Sequence, residues 1–197
     1  MSEKQAVELV KDENTSTEIL ATLLGNENEM VRRFVAEHAN TSVESLDYLS
    51  KDESQFVRVR VAANMHTLSS TLEKLSRDES EFVREFVAEH LNTPVATLIA
   101  LSQNPSTISW VAGNPNLPLD TIDRLSYHTD MFVKISVSVN PRINNDQLKR
   151  LSRDKDENVR AAVAKNPNVP LDILEALKTD ENESVREIAS EHPSLKK

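Results

Sequence analysis

The sequence predicts an all-α fold, a superhelix of stacked short helix pairs. Three observations carry this prediction. One phrase recurs along the chain, as "KDESQFVRVRVAAN" at 51–64, "RDESEFVREFVAEH" at 77–90 and "RDKDENVRAAVAKN" at 153–166. Only 2 of 197 residues are glycine, too few for the turns of a strand-rich fold. All 8 prolines fall at or near the ends of periodic segments, where a residue without an N–H is tolerated.

The repeat is anchored on the valine of a V-R or V-K pair, at Val31, Val57, Val83, Val133, Val159 and Val185. The spacing is 26, 26, 50, 26 and 26, and the 50 contains a shortened unit of 24 centred on Thr107. Residues 15–194 therefore read as seven repeats, with 1–14 as a partial N-terminal cap and 195–197 as a tail, all in one domain 1–197. Ser184, Glu187 and Glu191 give the last repeat a polar face suited to the far end of the array.

Each unit carries two helical signals. The first helix pairs apolar residues three apart, from Leu20/Leu23 and Leu46/Leu49 through Ile122/Leu125 to Leu174/Leu177. Thr15, Thr41, Thr67 and Thr93 mark its start, with Glu18 and Glu44 completing capping boxes. Pro94, Pro118 and Pro170 suit its first helical position. The second helix opens on Asn26, Asp52, Asp78, Asp154 or Asp180, each followed by Glu or Gln three residues on, a reciprocal N-terminal cap. Pro115, Pro141, Pro167 and Pro193 follow its end. One such pair cannot bury its own apolar face, whereas a stack can.

These units resemble the leucine-rich repeat variant family and, more broadly, HEAT and armadillo solenoids. Leu148, Leu151, Asp154, Val159, Arg160, Val163, Ala164, Asn166 and Pro167 carry the match most fully. The resemblance implies a right-handed α-α solenoid that acts as a scaffold. The absence of cysteine departs from any member holding an iron–sulfur cluster.

Taking the anchor valine as 0° and advancing about 100° per residue, the next core valine lies near 40° and the following alanine near 140°. The basic column of Arg32, Arg58, Arg84, Lys134, Arg160 and Arg186 falls near 100°, inside the apolar arc. A guanidinium there needs a fixed partner, and the Asp column supplies one, six residues earlier or in the adjoining repeat. The competing reading is a ladder for nucleic-acid phosphates, which would need the column exposed. The column seven after the anchor is always polar, at His38, Asn64, His90, Asn114, Asn140, Asn166 and His192. His38 and His90 lie two repeats apart, roughly 20 Å at ordinary helix packing, so no ion bridges them. Bonds to free helix-end carbonyls are the reading that fits both residue types.

Six of the eight aromatic residues fall in two columns of the second helix: Phe34, Phe56, Phe82, Phe86, Trp110 and Phe132. Residue type argues for packing against the first helix. The fading of the row after Phe132 argues for a partner groove, because core positions repeat in every unit. The shortened unit adds anomalies: Ile108 replaces the arginine, and Trp110 and Gly113 stand about one turn apart. The next unit adds apolar Ile135 and Val139 at outward angles. The candidate binding residues are thus Phe82, Phe86, Trp110, Gly113, Phe132, Ile135 and Val139.

Composition narrows the function class. No cysteine means no disulfide, thiolate metal site or cysteine nucleophile. A net charge of −9 disfavours a nucleic-acid backbone as partner. No apolar run is long enough to span a bilayer, and the opening "MSEKQAVELVKDEN" lacks a signal-peptide core, so a cytoplasmic location is expected. Neighbouring aspartates roughly 10 Å apart and serines without a base offer no catalytic pair. The expectation is a non-enzymatic scaffold for a protein or peptide, with no cofactor and no metal.

Overall fold

The computed structural model describes residues 2–195. Among them there is no strand. The α-helices are α1 (Glu3–Lys11), α2 (Thr17–Ala21), α3 (Glu29–Glu37), α4 (Val43–Leu49), α5 (Gln55–Ala63), α6 (Ser69–Leu75), α7 (Glu81–Glu89), α8 (Val95–Leu101), α9 (Ile108–Ala112), α10 (Leu119–Leu125), α11 (Met131–Ser138), α12 (Asn145–Leu151), α13 (Glu157–Lys165), α14 (Leu171–Leu177) and α15 (Glu183–Glu191). A 3₁₀ turn, Pro193–Leu195, follows. The tail expected at 195–197 includes Lys196 and Lys197, which lie outside the described residues.

The helices form two compact units, Met1–Leu101 and Ser102–Lys197. In the first, α1, α3, α5 and α7 pack in succession, each against the next. In the second, α9, α11, α13 and α15 do the same. The shorter helices line the other side of each stack, α4 against α3 and α5, α12 against α11 and α13. This repeating pattern of neighbour-to-neighbour packing is that of a helical-repeat protein.

The core is made of the columns that periodicity marks. The paired leucines from Leu20 to Leu177, with Ile122, are at most 4 % exposed, and the anchor valines are at most 1 % exposed. Val35, Val61, Val87, Val111, Val137 and Val163 fill the place one turn on, with Ala36, Ala62, Ala88, Ala112 and Ala164 beside them. At ~25 cal/mol per Å² of apolar surface, these small interlocking columns supply the drive to stack, since no single pair encloses a core.

The turns differ from expectation in an instructive way. Thr15 and Thr41 do not cap the short helices. Ser16 and Ser42 do, their hydroxyls accepting the N–H groups of Ile19 and Ser45. The threonines instead turn inward, almost wholly buried, and donate to carbonyls of the preceding long helix: Thr67 to Val61 at 2.5 Å, Thr93 to Val87 at 2.6 Å. Pro118 and Pro170 stand at the N-cap rather than the first helical position, offering only their carbonyls, which accept from Ile122 and Leu174.

Candidate partner-binding surface

The entry to each long helix fixes what its surface can present. The Asp column is not the N-cap. Each carboxylate sits two residues earlier and accepts the N–H of the true cap: Asp52 from Ser54 and Asp78 from Ser80, both at 2.9 Å, and Asp154 from Asp156 at 3.0 Å. Asn104 and His128 make the same turn onto Ser106 and Asp130. The cap then serves the helix, as Ser54 accepts from Phe56 and Asp130 from Phe132.

The freed Asp oxygens meet the basic column. Arg32 forks onto Asp52 through Nε at 2.7 Å and Nη2 at 3.0 Å, while its Nη1 donates to the Asn26 and Glu27 carbonyls. Arg58 repeats this with Asp78 and the carbonyls of Asp52 and Glu53. Arg160 does so with Asp180 and the carbonyls of Asp154 and Lys155. The carboxylate partner thus belongs to the next repeat, and the residue six earlier contributes its main chain. Lys134 reaches Asp154 at 2.6 Å, and Arg84 and Arg186 donate to carbonyls five and six residues back. Arg32, Arg58 and Arg160 are buried. Burial works against the Asp52 carboxylate, but the Arg32 hydrogen bonds, the Ser54 N–H and the nearby guanidinium charges outweigh it and hold its pKa below the usual aspartate value. Asp180 is lowered chiefly by its hydrogen bonds from Arg160, against a smaller effect of burial.

The Asn/His column ties each turn to the one before it. Asn64 donates to the Ala36 and His38 carbonyls and Asn140 to those of Ala112 and Asn114. His38 and His90 contact the Asp12 and Asn64 carbonyls through Nε2, each at 3.0 Å. Both rings accept an N–H at Nδ1, from Asn40 and Asn92, which assigns the donor hydrogen to Nε2. Among the described residues, no group of three or more His, Asp or Glu is placed to hold a metal ion.

Unlike these columns, the aromatic row lies outside the core. Met30 is 49 % exposed, Phe56 52 % and Phe82 54 %, each the second residue of its helix in the first unit. Phe86 is also exposed, and Phe34 is half-buried. In the second unit Trp110, Phe132 and Val139 are exposed and Ile135 is half-buried. Packing against the short helices is therefore not what this row does. Gly113 is not inside a helix but at the C-cap of α9, with φ −83°, and a Cβ added there would meet nothing closer than 3.8 Å.

Among the concavities of the first unit, two are lined by residues of the aromatic row. A groove of about 790 Å³ is lined by Glu27, Glu29, Arg32, Glu53, Ser54, Gln55, Phe56, Glu79 and Ser80. A notch of about 430 Å³ lies among Ala62, Ala63, Met65, Phe86, Glu89, His90, Leu91 and Asn92. Burial, and to a lesser degree the charge of Glu85, raises the Glu89 pKa. Met65 and Leu91, among the most exposed apolar residues, were not marked by periodicity because they sit in turns. The glutamates after the Asp column were also missed, although Glu27, Glu53, Glu79 and Glu181 recur in register with the repeat.

No family model matches the sequence, nor does any curated protein. Among solved structures, the chain is similar to one described as a leucine-rich repeat variant with a novel repetitive protein structural motif, at 24 % identity and a TM-score of 0.61, with 95 % of this chain and 80 % of that one covered. The chain shares the helical-repeat fold of that leucine-rich repeat variant.

Proposed function

We propose that the chain is a non-enzymatic scaffold that binds a protein or peptide segment through the exposed apolar row of its long helices. The observation that carries this reading is the exposure of Met30, Phe56, Phe82 and Phe132 at one repeated position, which is Ser106 in the shortened unit and polar again at Asn158 and Ser184. Large side chains kept in water are costly and, grouped, mark an interaction surface. The contributors fall into two groups, Phe82 and Phe86 in the first unit, and Trp110, Phe132, Ile135 and Val139 in the second. Gly113 keeps the surface beside Trp110 low. In the same reading the basic column, including Arg84 and Arg186, serves the fold rather than phosphate binding. The burial of Arg32, Arg58 and Arg160 against carboxylates supports this. The helix pairs are read as seven repeats of 26 residues with one of 24, wound right-handed in one domain 1–197. Residues 1–14 are the cap, and α1 packing on α3 supports that role.

The test is selection of peptides from a random displayed library by the full chain. Phe56→Ser/Phe82→Ser and Trp110→Ser/Phe132→Ser variants with unchanged circular dichroism serve as comparators. Recovery of peptides whose binding is lost in at least one double variant supports the reading. Equal binding by both variants places the functional surface elsewhere.

A further inference from the structure

The charge around the exposed row of the first unit selects the chemistry of its occupant. The groove beside Phe56 is lined by four carboxylates, Glu27, Glu29, Glu53 and Glu79, against the single guanidinium of Arg32. That guanidinium is already forked onto Asp52. The helix dipole and the Arg33 guanidinium, 3.9 Å away, account for Glu29, which lies in the first turn of α3. They do not account for Glu53 and Glu79, which lie ahead of their helices with side chains 90 % and 88 % exposed. They touch the rims of Arg32 and Arg58 at 3.5 and 3.3 Å, but each of those cations already has a buried aspartate partner. The groove thus carries surplus negative charge beside half-exposed apolar side chains.

The chain itself shows what such a ring accepts. Arg33 lies over the Phe56 ring, 5.5 Å from its centroid. One repeat on, Val59 stands at the position of Arg33 and brings no cation to Phe82.

We propose that this groove binds an extended, lysine- or arginine-bearing segment of a partner protein. The alkyl stems lie along Met30, Phe56 and Phe82, and the cationic heads lie among Glu27, Glu53 and Glu79. Long basic side chains match this surface because they join an apolar stem to a charged tip. The repeat sets the register. Packed helices are about 8–10 Å apart, and a chain in the extended polyproline II form advances about 3.1 Å per residue with every third side chain on one face, so a basic residue at every third position meets successive glutamates. This inference rests on the scaffold reading and adds the class of partner.

The test uses the full chain and a fluorescein-labelled peptide with lysine at every third position and serine or glycine between. A control peptide has glutamine in place of lysine, and binding is read by fluorescence anisotropy. The lysine peptide is expected to bind at least roughly tenfold more tightly than the glutamine peptide, with the difference shrinking as salt is raised. Glu53→Lys/Glu79→Lys leaves the Arg32–Asp52 fork in place and is expected to abolish that preference. Phe82→Ser is expected to weaken the lysine peptide. Equal affinity for the two peptides, or an unchanged preference in Glu53→Lys/Glu79→Lys, overturns the proposal. The displayed library separates this failure from that of the scaffold reading. Selected peptides poor in Lys and Arg whose binding needs Phe56 and Phe82 overturn the basic-segment inference alone, and recovery of no peptide overturns both.

Discussion

The two units solve the same turn with different chemistry. In the first, the turn after each long helix carries a buried threonine, at Thr15, Thr41, Thr67 and Thr93, whose hydroxyl donates back to a helix-end carbonyl. In the second, that position is Leu117, Ile143 or Val169, all buried, and the turn opens with Asn-Pro. The carbonyl the threonine would serve is met otherwise. The N–H groups of Asn114, Asn140 and Asn166 bond the Val111, Val137 and Val163 carbonyls at 2.9, 3.0 and 3.1 Å. In the first unit the equivalent N–H groups are shared, His38 between Phe34 and Val35 and Asn64 between Arg60 and Val61. One unit adds a donor. The other spends an existing donor on that carbonyl and fills the vacated place with hydrocarbon. A fixed backbone thus admits a polar or an apolar solution wherever the carbonyl is satisfied.

The largest expected effect tests whether the ladder is equally strong in both units. Arg58→Ala and Arg160→Ala should each lower stability by about 3–5 kcal/mol, because each strands a buried aspartate and two carbonyls. Lys134→Ala should cost less in chemical denaturation, since Lys134 makes one bond to Asp154. Lys134→Arg should then stabilise the second unit by roughly 1 kcal/mol.

Acid should remove part of the same energy in both units. Asp52, Asp154 and Asp180 have native pKa values below the ordinary 3.8. Their contribution is complete above about pH 3.8 and is lost as pH falls below it toward the native values. Melting temperatures measured between pH 6 and pH 2 should drop there, and should drop less in Asp52→Asn.

Asn140→Leu comes next. It leaves the Ala112 and Asn114 carbonyls without a side-chain donor, at a cost of about 1–3 kcal/mol by urea titration. The turn comparison itself carries a smaller number. Thr67→Val should cost about 1 kcal/mol, by loss of the hydroxyl bond to Val61. Ile143→Thr should cost at least as much, because its hydroxyl meets a carbonyl already served. Equal stabilisation by both changes would break the account of the two turns.

The smallest effect is Glu89→Gln. Burial raises the Glu89 pKa above the ordinary 4.5, so its ionised form opposes folding at neutral pH. The change should raise the melting temperature slightly at pH 7, with the gain gone below about pH 4.5.

The core was legible from the residues because leucines three apart and valines four apart repeat in register, and nothing but burial rewards that pattern. The helix entries were not. Asp52 and Ser54 are both cap-forming types two residues apart, and sequence does not say which makes the turn and which caps. The short-helix starts were misread likewise, since Thr41 and Ser42 are neighbours of one class and only burial separates them. For the aromatic row, residue type pointed to packing and the fading after Phe132 pointed to a partner groove. Phe56 and Phe82 are more than half exposed, which residue type alone did not foretell. Glu53 and Glu79 went unread because a solvated glutamate in a turn carries no signal of its own until the groove places it beside a phenylalanine.

The Asn column gives the molecule a direction in time. The carbonyls of Ala36 and His38 are served by Asn64, and that of Ser138 by Asn166, so each side-chain donor lies 26 or 28 residues downstream of its acceptor. The forked arginines also look forward, to an aspartate 20 residues on. As the chain leaves the ribosome, the Ala36, His38 and Ser138 carbonyls wait for a side-chain donor that emerges only with the repeat that follows. Ordering therefore trails synthesis by about one repeat and advances by latching.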